Sequence, residues 1–449
     1  MTATEAKIRV VVLNFDGGQM TLDCLESLRA TDWPTESLEV VLVDNGSLDD
    51  VVERARAQFP AVRILEPLAN LGFAGGCNLG IDAPIVGGFV PEFVALINND
   101  ATVAPGWLRA LHAAVTSASD VGAASAKMLF ADRMIGFEFT VEPPVSENER
   151  TFAITGMRVN GKRDDARFTF DEGVFGPIGF DARAGEEMKR WASARGSVRL
   201  VAEGDPIETI ELRLHSEVPS TVVFRSDEGE ERVAIGLAAA WVSLNPPRTV
   251  FDVINNVGSN LYAGGFGGDR GFLERDRGQF DQPAEVFAWC GGAVLLKREY
   301  LDSVGIFDER LFLYYEDTDL SWRGRLAGWR YVYEPSSIVR HRHAQSSGVG
   351  SPVFRFHTER NRLLVLAKCA PARLAWRAGL GELRRVVVRN IRDLVVSPLT
   401  VKLPVRGEAR HRRRVFFSYL SLLTGVLRDR WLLDRRVTRR SLMHWQVLK

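Results

Sequence analysis

The residues best suited to chemistry lie in the segment Tyr314-Tyr315-Glu316-Asp317-Thr318-Asp319-Leu320-Ser321-Trp322. Three acids fall within four positions at what reads as the start of a helix, where the helix dipole favours negative charge and capping alone would account for them. Two tyrosines and a tryptophan flank them, and aromatic walls suit stacking on a sugar ring. A carboxylate held among such walls is open to tuning as a general base.

Three further segments carry polar groups in useful patterns. Asn98-Asn99-Asp100 follows an apolar run, and a carboxylate at a strand end can hold a hard divalent cation against a diphosphate, although the same residues also make an ordinary turn. Asn70-Leu71-Gly72-Phe73-Ala74-Gly75-Gly76-Cys77-Asn78 permits close backbone approach and opens a helix N-terminus, which suits an anion or a ribose. It matches neither G-x-G-x-x-G nor a P-loop, since no Gly-Lys-Ser/Thr follows. Arg340-His341-Arg342-His343 offers imidazoles for a metal, or simply a basic surface.

The elements that must position these groups alternate. Ile8–Leu13, Leu38–Val43, Val62–Leu65 and Phe93–Ile97 read as buried strands, with helices over Thr21–Ala30, after Asp49 or Asp50, and over Pro105–Ser119. This order predicts an α/β fold with a doubly wound, mostly parallel sheet, whose ligands bind beyond the C-terminal strand ends. Asn14, Asp44, Asn98 and Asp100 all sit at such ends. Between about 135 and 250 short alternating strands and turns predict an inserted β-rich, sandwich-like module without a catalytic constellation. After Asn361 the chain reads as helical and basic. The expected division is therefore 1–134 and 251–365 as two halves of one domain, 135–250 as the insert, and 366–449 as a tail.

Taken in order, these segments resemble the inverting family 2 glycosyltransferases of GT-A (Rossmann-like) fold, nearest their bacterial rhamnosyltransferase and galactofuranosyltransferase-like branch. The carrying residues are Val11-Val12-Leu13-Asn14, Val43-Asp44-Asn45-Gly46-Ser47, the Asn70–Gly76 segment, Asn98-Asn99-Asp100, Cys290-Gly291-Gly292-Ala293, Val304–Glu309, Glu316-Asp317 and His341. The resemblance implies Asp317 as catalytic base and Asp100 with His341 as ligands of Mg²⁺ or Mn²⁺. Asn14, Asp44, Asn70, Gly72, Asn98 and Asn99 would line the nucleotide-sugar pocket, and Trp289, Gly291, Gly292, Tyr315 and Glu316 the acceptor side. Asn98 stands where many relatives carry Asp. The implied donor is dTDP- or UDP-linked, with rhamnose or galactofuranose favoured, and the implied acceptor is a glycan or a lipid-linked molecule.

Composition sets the remaining bounds. At 46% hydrophobic and 25% charged, the chain is of ordinary globular type, which excludes disordered and fibrous classes. Its four cysteines form no CxxC pair, so neither a zinc site nor a disulfide framework is expected and a cytoplasmic setting fits. Net charge is zero, yet the residues from 361 onward hold about 21 Lys/Arg against about 5 acids. Clusters such as Arg412-Arg413-Arg414-Val415-Phe416-Phe417 and Trp431-Leu432-Leu433 fit an interfacial helix on an anionic membrane surface, against two other readings: a solvated helical face with no partner, and a nucleic-acid contact. The rival readings are a catalytically idle glycan- or nucleotide-sugar-binding protein on the same fold, and a nucleotidyltransferase, which the missing triphosphate loop disfavours.

Overall fold

The computed structural model describes residues 5–143, 150–171, 173–175, 190–342, 351–392 and 406–447. Its largest sheet follows the spatial order Ala284–Glu285, Arg330–His341, Val121–Phe130, Ala293–Lys297, Phe93–Asn98, Ile8–Asn14, Leu38–Asp44, Arg63–Leu65. Ile8–Asn14 lies parallel to both Leu38–Asp44 and Phe93–Asn98. The strand reads as a continuous apolar run because both its faces are covered: Val10 and Val12 enter one core, and Val11 the other. Helices Gly18–Arg29 and Trp107–Val115 cover the first face, with Leu22, Leu25, Leu28, Trp107 and Leu111 buried there. Helices Gly72–Ile81, Arg298–Val304 and Glu316–Ala327 cover the second.

The parallel pairing is broken in the middle of the sheet. Ala293–Lys297 runs antiparallel to both Phe93–Asn98 and Val121–Phe130. The last long strand is not the short Tyr331–Tyr333 run that hydropathy suggests; it continues to His341, parallel to Val121–Phe130. Its distal part, Val339–His341, also pairs antiparallel with Ala101–Val103. Polar Glu334, Ser336 and Ser337 interrupt the apolar pattern at a register shift, which hides the continuation from a reading by periodicity.

At Phe130 the chain leaves this sheet, and at Phe251–Val253 it returns alongside its own exit, where Phe130 N donates to Val253 O at 2.9 Å. Between these points two antiparallel sheets pack face to face around one core that includes Phe137, Phe139, Ile154, Leu212 and Phe224. The C-terminal helices Pro352–Cys369, Ala372–Ile391 and Arg406–Leu432 share a core with Phe287, Leu311, Trp322 and Leu326 of the large domain. Several of the tail's arginines therefore serve internally: Arg430 donates to Ala370 O at 2.8 Å, and Arg412 pairs with Glu359 at 3.0 Å.

Helix Gly72–Ile81 seats on the sheet through its small residues. A Cβ on Gly80 would lie 2.3 Å from Val11 Cγ1, so the helix depends on glycine for its depth. Gly80→Ala should thus overpack the interface and lower stability by about 1–3 kcal/mol. A denaturant midpoint indistinguishable from that of the parent chain would contradict this seating.

Candidate active site

The polar strand ends form one hydrogen-bonded floor. Asn14 Nδ2 donates to Asp44 Oδ1 at 2.7 Å and to Ser47 Oγ at 2.9 Å. Asn14 Oδ1 accepts from Thr21 Oγ1 at 2.6 Å and from Asn99 Nδ2 at 3.0 Å. Asn14 is fully buried and Asp44 is 5% exposed, so both set the shape of the floor rather than reach far into the cleft. Asn70 is exposed; its Oδ1 accepts from Gly72 N at 2.8 Å and from Asn45 Nδ2 at 3.0 Å. Gly72 has φ +70°, and a Cβ there would lie 2.4 Å from Phe312 O. The glycines of this segment thus serve the packing of a helix against the sheet and the 312 turn, and not a phosphate cradle: Ala74 N at the helix start donates to Phe312 O at 3.2 Å.

Asp100 and His341 meet because Ala101 pairs with His341 across the sheet. His341 Nε2 lies 2.9 Å from Asp100 Oδ1 and 3.1 Å from Asn98 Nδ2. Its Nδ1 lies 3.0 Å from Asn255 Oδ1; in the tautomer that donates the Nδ1 proton to that oxygen, Nε2 is available to a cation shared with the Asp100 carboxylate. This donor set fits a hard divalent cation, with the Asn255 amide fixing the ring as an outer partner. Among the described residues no group of three or more His, Cys, Asp or Glu converges. Two protein ligands suffice for an ion of the Mg²⁺ type, which completes its shell with substrate phosphate and water.

The turn Cys290–Ala293 connects this pair to Asp317. Gly292 O accepts from Asn98 N at 3.1 Å, while Gly291 N donates to Asp317 Oδ2 at 3.3 Å. Asp317 Oδ1 accepts from Thr318 N at 2.6 Å. Burial raises the Asp317 carboxyl above its ordinary range, and the Gly291 and Thr318 amides oppose that rise.

The three acids of this helix start have three fates. Glu316 is buried with Oε2 unpartnered; burial and the adjacent Asp317 charge raise its carboxyl well above the usual value, so it stays protonated at neutral pH. Asp319 has no exposure and binds Arg323 Nε at 2.8 Å and Lys368 Nζ at 3.0 Å, tying its helix to Pro352–Cys369. Only Asp317 keeps solvent access. Trp289 and Glu316, both expected on the acceptor side, are therefore core residues: Trp289 has no exposure and packs edge-on to Phe307 at 6.0 Å. Tyr315 is partly buried and accepts at its hydroxyl from Gly267 N at 3.2 Å. His343 lies outside the described residues.

Two groups escaped the sequence reading. Phe312, Tyr314 and Tyr315 have φ of +64°, +67° and +71°, a conformation that costs each of them about 1–3 kcal/mol. The buried Asn361 amide holds that turn, donating to Leu311 O at 2.8 Å, Leu313 O at 2.9 Å and Tyr314 O at 2.7 Å. Asp269 sits across the cleft and accepts from Asn256 Nδ2 at 2.6 Å. It is open to cleft water but enclosed by protein otherwise; this desolvation pushes its carboxyl up to about 6, the Asn256 amide opposing and nearby Asp317 adding. Neither residue has a motif, because each acts through a tertiary contact.

Residues 9–128 match the family model described as Glycosyl transferase family 2. The match falls on the first part of the large mixed α/β sheet described above, including the strands that end in Asn14, Asp44 and Asn98. In sequence, the chain is 49% identical over 69 residues to the N-acetylglucosaminyl-diphospho-decaprenol L-rhamnosyltransferase of Mycobacterium tuberculosis, in both strains compared, over 15% of this chain and 22% of that protein. The match thus spans about a fifth of the length of these curated relatives. Among solved structures, GalNAc-T7 with UDP, GalNAc and Mn²⁺ is similar at 11% identity and TM-score 0.47, covering 96% of this chain and 59% of that one. The mannosyltransferase PcManGT from Pyrobaculum calidifontis, in complex with GDP-Man and Mn²⁺, is similar at 13% identity and TM-score 0.40, covering 94% and 88%. Both scores lie below one half.

Asn361→Ala removes the one donor group shared by three buried carbonyls. It should lower stability by about 2–4 kcal/mol. Increased hydrogen exchange confined to the 311–315 turn would accompany the loss; unchanged exchange there would show that the amide does not hold it.

Proposed function

We propose that the chain is an inverting glycosyltransferase that moves a sugar from a nucleoside-diphosphate donor to an acceptor hydroxyl. The observation that carries this reading is the continuous linkage of Asp317, Gly291-Gly292, Asn98, His341 and Asp100, which aligns a carboxylate of raised proton affinity with a pair fit for a divalent cation. Asp317 Oδ takes the proton of the acceptor hydroxyl as that oxygen bonds to the anomeric carbon. The bond from that carbon to the diphosphate oxygen breaks, and the nucleoside diphosphate leaves with the bonding pair. Mg²⁺ or Mn²⁺ held by Asp100 and His341 supplies charge neutralisation at the diphosphate. Asn14, Asp44 and Asn99 maintain the nucleotide-side floor, with Asn70 and Gly72 at its rim, while the backbone of Gly291-Gly292 fixes the base relative to that floor.

The local identity to the mycobacterial relatives favours a dTDP-rhamnose donor and a lipid-linked acceptor, with UDP-galactofuranose as the second donor to try. A membrane face supports that acceptor class. Among the described residues no helix is long and apolar enough to cross a membrane. Helix Ala372–Ile391, however, exposes Trp376, Leu380, Val387, Val388 and Ile391 among arginines, and Trp431 is 85% exposed nearby in sequence to the basic cluster. Such a face fits peripheral attachment to an anionic leaflet on the cytoplasmic side. In flotation assays the chain should rise with vesicles containing phosphatidylglycerol and not with pure phosphatidylcholine. Trp376→Ala with Trp431→Ala should weaken that binding about tenfold or more; flotation that ignores lipid charge and both tryptophans would remove the membrane assignment.

The two adjacent acids should respond oppositely. Asp317→Asn should lower the transfer rate about 100- to 10,000-fold while donor still stabilises the protein in thermal shift. Glu316→Gln, the neutral isostere of a protonated acid, should retain transfer within a few-fold. Because Asp317 must be ionised and its carboxyl is raised, kcat/KM should fall on the acid side at a pH above the ordinary Asp value of about 3.9. An acid limb at or below that value, or an Asp317→Asn enzyme near full activity, would refute the base assignment. EDTA, Asp100→Ala and His341→Ala should each abolish donor stabilisation.

A further inference from the structure

A cavity of about 1280 Å³ lies between the sandwich and the large domain, and its lining includes Asp269, whose carboxyl feels the charge of Asp317. Small-molecule pockets commonly measure about 300–1,000 Å³, so this space exceeds the needs of one sugar ring. One wall is the outer face of the sandwich sheet. Strand alternation sends Phe137, Phe139, Val198 and Phe224 into the sandwich core and leaves Ser197, Glu138 and Arg225 facing out, directly opposite one another across three strands. Arg195 lies two positions from Ser197 on the same face. The other wall is the segment Gly268–Gln279.

One end of the cavity approaches the acidic helix through the strand that carries Asp269. Asp269 lines it, and two residues earlier Gly267 contacts the acidic helix, its N–H on Tyr315 Oη at 3.2 Å and its Cβ position 3.2 Å from Thr318 Oγ1. Thus Tyr315 and Thr318, on either side of Glu316-Asp317, lie against the strand that carries Asp269.

The lining chemistry selects among occupants. Five arginines face four carboxylates, and several already pair, as Arg225 does with Glu230 at 3.0 Å and Arg277 with Glu138. A polyanion would need a cationic surplus, and a polyprenyl tail an apolar wall. Balanced planar donors and acceptors with an adjacent tyrosine, Tyr262, suit hydroxyl groups and ring faces.

We propose that this cavity is a binding cleft for a neutral stretch of acceptor glycan several sugars long, delivered along the sandwich sheet to Asp317. The proposal rests on the transferase reading above and deepens it, giving the β module a function as one wall of the acceptor site.

The test uses the full chain and saturation-transfer NMR with three probes: a pool of dextran, mannan and galactan oligosaccharides, a heparin oligosaccharide pool, and a short-chain polyprenyl phosphate in micelles. Members of the neutral pool should bind, with longer chains tighter than monosaccharides. Arg225→Ala with Glu138→Ala, both on an exposed face, should weaken that binding about tenfold. Oxidative footprinting of the unmodified chain gives a second readout, in which the neutral pool should protect Tyr262. Failure of the neutral pool to bind, binding indifferent to the double variant, or preference for heparin or polyprenyl phosphate would overturn the proposal. If the oligosaccharides bind the cleft but no nucleotide sugar stabilises the chain, the transferase reading fails and the cleft stands. If donor stabilises and the oligosaccharides do not bind, the cleft alone fails.

Discussion

One side-chain amide constrains the centre of the molecule. Asn361 gathers the carbonyls of Leu311, Leu313 and Tyr314, and the turn between them carries three non-glycine residues at positive φ. A strained backbone of this kind persists only where its surroundings over-determine it. The strain sets where the following helix begins, and so aims Asp317 toward the Gly291 amide while Glu316 turns inward. The neighbouring Arg362 reaches Gly264 O at 3.0 Å, so the same helix also steadies the strand that bears Asp269. The C-terminal helices are thus part of the machinery that orients the site.

A buried ion network reinforces this constraint. Lys368 bridges Asp319 of the acidic helix and Asp308 before the turn, and Arg310 joins Asp308 to Asp429 of the last long helix. Burial alone would raise the Asp308 carboxyl, but the cations beside it hold it well below the ordinary range. Breaking one partner of such a network leaves an uncompensated charge, a larger penalty than the pair's own net contribution. Rigidity here suits chemistry that depends on alignment more than on covalent participation.

The first part of the large sheet was legible because its signals are local. Buried β-branched runs ending in Asn14, Asp44 and Asn98 announce parallel strands and place polar groups at their C-terminal ends; the structure joins Asn14 to Asp44 and sets Asn98 beside His341. The acidic segment was legible as a cluster but not in its division of labour. Glu316, Asp317 and Asp319 differ through surroundings remote in sequence: Glu316 is buried, Asp317 meets the Gly291 amide, and Asp319 binds Lys368. Trp289 was misplaced for a related reason: an aromatic beside a glycine turn looks like a binding surface until the helix that covers it is in place. The Asp100–His341 pair needed a resemblance to be seen, since the short strand Ala101–Val103 and the far end of Arg330–His341, remote in sequence, bring it together. Asn361 and Asp269 gave no signal, because one amide in a helix and one acid in a glycine-rich strand are unremarkable in composition.

The central claim is direct displacement at the anomeric carbon, with Asp317 activating the acceptor. Its most immediate measurement is the anomeric configuration of the product, read by proton NMR with the nucleotide sugar that best stabilises the chain. A single displacement predicts a product of opposite configuration to the donor from the first turnover. A product that retains the donor configuration would contradict the account, because one carboxylate acting as base cannot produce it.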